Sequence, residues 1–186
     1  MQIEPEIFET LKNSGIILYP TDTIWGIGCD ATNETAIDKI YKIKQRSDTK
    51  SMLILVDSME MLSRYVKEIP ELADQLIEYS EKPLTIIYSD AKNLPKNLVN
   101  EDGTIGIRVT KDEFCKAIMY KTRKPIVSTS ANISGEKSPA NFSEISGEIK
   151  SKVDYVVKYR QNEKTKNTAS SIIKLGVGGD IKIIRD

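Results

Sequence analysis

At 186 residues the chain is long enough for one well-formed hydrophobic core and short for two, so a single domain over residues 1–186 is expected. Its 27 lysines and arginines balance 27 aspartates and glutamates, which excludes a globally basic molecule drawn to nucleic acid or membrane; any basic surface has to be local. Histidine is absent, and with it go Ser-His-Asp and Cys-His nucleophile systems and most catalytic zinc sites. Chemistry therefore has to run on lysine, arginine, hydroxyls, carboxylates, backbone amides or a magnesium ion, which suits reactions at phosphate. No apolar run approaches a bilayer span, and the acidic start Met-Gln-Ile-Glu-Pro-Glu is unlike a secretory signal, so a cytoplasmic protein with no membrane partner is expected. Cys29 and Cys115 lie far apart without metal-type spacing and read as buried thiols.

In chain order, the first strand pattern is 16–18, ended by Pro20 and followed by the exit loop Thr21, Asp22, Thr23. Asp22 fits a turn former better than a magnesium ligand. Gly26-Ile-Gly-Cys-Asp-Ala31 fits the alanine-ended dinucleotide fingerprint only weakly, because its glycines fall well after the proline, outside the turn itself. A Rossmann unit with Asp57 as its ribose acid is thus a minor alternative. A helix stripe follows in Ala36, Ile37, Ile40 and Tyr41, with Thr32 or Asn33 as cap. Strand 52–56 leads to helical stripes at Met59, Leu62, Val66 and at Leu72, Leu76, Tyr79. Strands 84–88 and 104–109 precede a helix opened by Asp112, and strand 125–128 comes next. The last three strands, 155–159, 170–175 and 181–185, come with little helix between them. Gly176-Val-Gly-Gly179 suits a hairpin there. The fold class is α/β, a twisted open mixed sheet with flanking helices.

Residues 128–135, Ser-Thr-Ser-Ala-Asn-Ile-Ser-Gly, place hydroxyls and amides at a strand exit, where open α/β sheets bind polar ligands. A ligand-free turn is the alternative, since the same residues dominate turns. Lys44, Arg46 and Lys50 follow the first helical stripe, and Lys44 and Arg46 converge only if the helix ends between Tyr41 and Lys44. Cations at a helix carboxyl end are also favoured by its dipole alone. Arg108 shares a face with Thr104 and Gly106, opposite Ile105, Ile107 and Val109, and an arginine beside a glycine in mid-strand invites a close anion or a solvated face.

Six segments together resemble the YrdC/TsaC family of threonylcarbamoyl-AMP synthases. They are Tyr19-Pro-Thr-Asp-Thr-Ile-Trp-Gly-Ile-Gly-Cys-Asp30, Lys44-Gln-Arg46 with Lys50, Thr104-Ile-Gly-Ile-Arg108, Ser128-Thr-Ser-Ala-Asn132 with Ser134-Gly135, Ala169-Ser-Ser-Ile-Ile173, and Ile183-Ile-Arg185. The resemblance implies a twisted open sheet with a concave, locally basic face. It implies a reaction in which L-threonine, bicarbonate and ATP, with Mg2+, give threonylcarbamoyl-AMP and pyrophosphate. It groups Arg46, Lys50, Thr104, Asn132 and Arg185 on the ATP side and Thr23, Arg108, Ser130 and Ser170 on the threonine side. Lys44 and Arg46 would be the catalytic pair at the phosphates, with no metal ligand assigned to the protein beyond the magnesium that ATP carries. It also implies a separate transferase complex that passes the threonylcarbamoyl group to the adenosine beside a tRNA anticodon, with tRNA contact by this chain left open.

The chain departs from the family's usual residues at Ser47, Ser51, Leu55, Ala140 and Ala169, which puts loop rigidity and some threonine contacts in doubt. Two other readings remain: an RNA-binding module without catalysis, and carbamoyl-adenylate chemistry. Eight tyrosines, three phenylalanines and one tryptophan, without a basic stretch between them, disfavour stacking on single-stranded RNA.

Overall fold

The computed structural model describes residues 3–45 and 52–186. The chain runs α1 (Pro5–Lys12), β1 (Ile17–Tyr19), β2 (Gly26–Gly28), α2 (Glu34–Ile43), β3 (Leu53–Val56), α3 (Met59–Leu62), α4 (Leu72–Tyr79) and β4 (Leu84–Tyr88). It continues with β5 (Ile105–Val109), α5 (Glu113–Thr122), β6 (Ile126–Ser130), a short 3-10 turn (Phe142–Glu144), α6 (Gly147–Lys152), β7 (Tyr155–Val156), β8 (Ser171–Leu175) and β9 (Ile181–Arg185). Among the described residues the nine strands form one mixed sheet in the order β7-β1-β2-β6-β3-β5-β4-β8-β9. Pairings β1–β7, β3–β5 and β4–β8 are parallel and the rest antiparallel, so the expected mixed α/β sheet is present.

Local chemistry accounts for the helices. The Asn33 side chain caps α2 by accepting from Ala36 N at 3.0 Å, and Ala36, Ile37, Ile40 and Ile43 turn one buried stripe to the core. Asp112 caps α5 in the same way, accepting from Cys115 N at 2.9 Å, and Arg123 ends it in the left-handed region. The loop 176–180 closes the β8–β9 hairpin, with Gly179 at φ 88 donating to Gly176 O at 3.0 Å.

Several expectations need correction. Residues 26–28, whose fit to the dinucleotide fingerprint is weak, form strand β2, an element not expected from the sequence pattern. Gly28 lacks a side chain because Tyr19 and the backbone of β6 press against it, which is a packing demand and not a phosphate cradle. Helix α3 stops at Leu62, and Val66 instead bridges to Ala91. Strand β7 has only two residues where five were expected. Helices α1, opened by Pro5 with Ile7 and Leu11 buried, and α6, capped by Ser146, were not anticipated.

Cys29 and Cys115 are free, fully buried thiols, and burial above all pushes both well above the ordinary thiol range. Folded thiols held protonated stabilise the protein below the unfolded pKa of about 8.5, and that contribution is lost as pH rises beyond it. Native protein at pH 8 should therefore resist a thiol reagent that labels both cysteines in denaturant, and its urea midpoint should fall on going from pH 8 to 10. Rapid labelling of the native form would contradict this burial. Among the described residues no helix is long and apolar enough to cross a membrane.

Candidate active site

One face of the sheet carries a cavity of about 260 Å³. Strand register builds its floor. Arg108 of β5 stands beside Leu55 of β3, Thr85 of β4 beside Ile172 of β8, and Ile172 opposite Arg185 of β9. Alternation turns Ile105 and Ile107 to the core and leaves Gly106 and Arg108 in the cavity wall. Strand β6 contributes Ser128 and Ser130, and the loop after β1 contributes Thr23 and Trp25. Trp25 is braced by Phe142, with ring centroids 4.8 Å apart.

Arg108 governs the electrostatics. Its side chain is 3% exposed and pairs with Asp22, itself 16% exposed, at 3.1 Å. Asp22 also accepts from the Thr110 hydroxyl at 3.0 Å, which fixes the carboxylate. Arg108 Nε has no hydrogen-bond partner among the described residues. Arg185 donates through Nε and Nη2 to Ser170 O at 3.0 and 2.7 Å. Burial, and then the positive charge of Arg108, hold the Arg185 guanidinium below its ordinary pKa. Two guanidinium groups against one carboxylate leave surplus positive charge in the cavity wall, the chemistry of an anion site.

The threonine hydroxyls of the loop after β1 have a fixed direction. Thr21 Oγ1 donates its only proton to Ile24 O at 2.8 Å. The 2.9 Å contact between Thr21 Oγ1 and Thr23 Oγ1 must then run from Thr23 to Thr21. Thr23 is left with lone pairs for a ligand that donates, such as an ammonium or hydroxyl group. Across the cavity, Thr85 Oγ1 and Ser170 Oγ share a 2.8 Å hydrogen bond.

The chain matches the family described as Telomere recombination, the Sua5/YciO/YrdC proteins, over residues 9–186. This chain belongs to the Sua5/YciO/YrdC family. A threonylcarbamoyl-AMP synthase of Pseudoalteromonas translucida (strain TAC 125) is 32% identical over 174 residues, covering 92% of this chain and 91% of that protein. P. abyssi Sua5 complexed with L-threonine superposes with a TM-score of 0.80 at 25% identity over 91% of this chain, which spans only 50% of that longer one. E. coli YciO has the same fold, with a TM-score of 0.82 at 23% identity over 97% of this chain and 87% of its own.

Within this Sua5/YciO/YrdC fold, Thr23, Arg108, Ser130, Ser170 and Arg185 come together in the cavity wall. Thr104 does not join them; its hydroxyl donates to Asp102 Oδ1 at 2.6 Å and accepts from Asn100 Nδ2 at 2.9 Å. Asn132 uses Nδ2 to hold Ile133 O and Glu136 O, both at 2.8 Å, and its buried Oδ1 has no partner among the described residues. Lys44 ends α2, as convergence with Arg46 required, and its Nζ donates to Ser130 O and Asn132 O. Arg46 and Lys50, with Ser47 and Ser51, lie outside the described residues. Of the other departures, Leu55 is fully buried beside Arg108, Ala169 lines the cavity, and Ala140 O accepts from Asn167 N at 3.3 Å.

Sequence reasoning missed the partnership of Asp22 with Arg108. Strands β2, β6 and β3 separate β1 from β5, so only the loop after β1 folding over the sheet face brings the two together. Thr85 was also missed, although alternation within 84–88 sets it opposite to buried Ile86 and Tyr88.

Proposed function

We propose that the chain is an L-threonylcarbamoyladenylate synthase, a nucleotidyltransferase that makes threonylcarbamoyl-AMP and pyrophosphate from L-threonine, bicarbonate and ATP. The observation that carries this reading is the cavity whose wall holds the buried cation Arg108 together with Thr23, whose lone pairs are open to a donor. An amino acid bearing a carboxylate, an ammonium and a hydroxyl group matches both ends. Arg108 takes the carboxylate, Thr23 accepts from the amine or hydroxyl, and Ser130 and Ser170 complete the threonine side. The curated synthase and the threonine-bound Sua5 support the same choice of substrate.

The threonine amine, once deprotonated, adds to the carbon of bicarbonate with loss of water, or to that of carbon dioxide with loss of a proton to solvent, and forms a carbamate. A carbamate oxygen then attacks the α-phosphate of ATP, and pyrophosphate leaves with the electrons of the broken P–O bond. Negative charge gathers at that phosphorus, and a cation about 4 Å away at intermediate effective dielectric offsets it by roughly 4 kcal/mol before desolvation is counted. Arg46, Lys50 and Arg185, with Thr104 and Asn132, are assigned to the nucleotide. Among the described residues no three His, Cys, Asp or Glu side chains come together as a metal-ligand set. Magnesium is assigned to the ATP phosphates, where it would neutralise the leaving pyrophosphate. The product is assigned to the threonylcarbamoyl modification of the adenosine beside the tRNA anticodon, completed by a separate transferase complex.

Pyrophosphate release by the purified protein, with ATP, magnesium, L-threonine and bicarbonate omitted in turn, tests the proposal. Release that needs every component is expected. Release that ignores threonine but responds to carbamoyl phosphate would replace the reading with carbamoyl-adenylate chemistry, and salt-dependent tRNA binding without turnover would replace it with RNA binding. Arg46→Ala should lower turnover by about 10²-fold or more while leaving the unfolding midpoint unchanged. Turnover near that of the parent would remove Arg46 from the mechanism.

A further inference from the structure

Lys44 is the carboxyl-terminal cap of α2 and is 2% exposed. Its Nζ donates to Ser130 O at 2.6 Å and to Asn132 O at 2.8 Å, with Ser130 Oγ at 3.5 Å. Its own carbonyl accepts from Ser134 N at 3.0 Å. One residue thus fastens the turn 130–134 to the end of α2 at three points. An ammonium is well placed at a helix carboxyl end, where the dipole is negative, and the two carbonyls solvate it where water is excluded. Removing it would take the donor from Asn132 O, while Ser130 O, at the last β2–β6 register pair, would keep only the Asn132 N–H at 2.9 Å. The amide of Asn132 holds the far side of the same turn.

We propose that Lys44 is a positioning residue for Ser130, acting on threonine binding through this turn and not by touching the ATP phosphates. The inference rests on the synthase reading of the cavity, since Ser130 lies in the wall assigned to threonine. It reassigns the residue that the family resemblance grouped with the phosphates. A phosphate-contacting lysine affects ATP and leaves the binary threonine complex alone. A lysine that sets Ser130 affects threonine binding with no nucleotide present.

Calorimetric binding of L-threonine without ATP separates the two. Lys44→Met, which keeps most of the stem and removes the ammonium, should raise the threonine Kd about tenfold, the value of one hydrogen bond to substrate. In turnover, its threonine KM should rise more than its ATP KM. Ser130→Ala should weaken threonine binding by a similar factor, and adding Lys44→Met to it should weaken binding little further. Parent-like threonine affinity in Lys44→Met, or fully multiplicative effects in the double variant, would overturn the proposal. If Lys44→Met does not fold, Lys44→Arg keeps the charge but cannot place one point donor between the two carbonyls, and the same rise in threonine Kd is expected of it. Parent-like affinity in that variant overturns the proposal equally. Failure of the parent protein to bind threonine at all would instead strike the synthase reading, and this inference with it.

Discussion

Asp22→Ala is expected to lose about 3–5 kcal/mol of folding stability, the cost of breaking a buried ion pair by removing one partner. Arg108 would keep its charge, because a guanidinium does not deprotonate in a protein. Its side chain, 3% exposed, would face the cavity without the carboxylate at 3.1 Å, and Thr110 would lose the acceptor at 3.0 Å. Asp22→Asn should be milder, since an amide oxygen still accepts from Thr110. Asp22→Ala combined with Arg108→Met should recover much of the loss, because no buried charge then remains. Urea unfolding of the four proteins decides the matter, and an Asp22→Ala variant within about 0.5 kcal/mol of the parent would show that the pair contributes little. If Arg108 takes the threonine carboxylate, L-threonine should stabilise Asp22→Ala more than it stabilises the parent, by supplying a replacement anion.

The same pair shows what was legible in the sequence and what was not. Strands β4 and β9 and the caps Asn33 and Asp112 follow from local pattern, because alternation and capping act within a few residues. Arg108 announced itself by standing among alternating isoleucines beside a glycine. Asp22 looked like a turn former, and its partner is 86 residues away, reached by a loop that crosses the sheet face. Strand β2 was hidden for a related reason. Its three residues Gly26-Ile27-Gly28 have poor strand propensity, and they form a strand because β1 and β6 pair with them on both sides. Lys44 was legible as a helix-end cation, but its use on the carbonyls of Ser130 and Asn132 depends on where β6 ends in space.

Gly28→Ala and Gly106→Ala should behave as opposites although both glycines lie in the middle of the sheet. A Cβ on Gly28 would sit 2.3 Å from Val127 O and 2.6 Å from Tyr19 Cε1. The first of these is backbone, so β2 and β6 would have to part, and overpacking of this kind costs about 3 kcal/mol. Tyr19 has little freedom to yield, being fully buried with its hydroxyl donating to Val127 O at 3.1 Å. Any displacement passes directly into Ser128 and Ser130, so threonine binding should fall with stability. A Cβ on Gly106 would meet Leu53 Cβ and Thr85 Cγ2 at 3.5 Å, ordinary contact, and alanine relieves the entropy cost of a strand glycine. Gly106→Ala should therefore match or slightly exceed the parent in urea. Gly106→Leu should also fold, yet its side chain would occupy much of the 260 Å³ cavity beside Arg108, so threonine binding should be lost while the unfolding midpoint is kept. Retained threonine binding in folded Gly106→Leu would move the substrate out of this cavity, whatever the fate of Gly28→Ala.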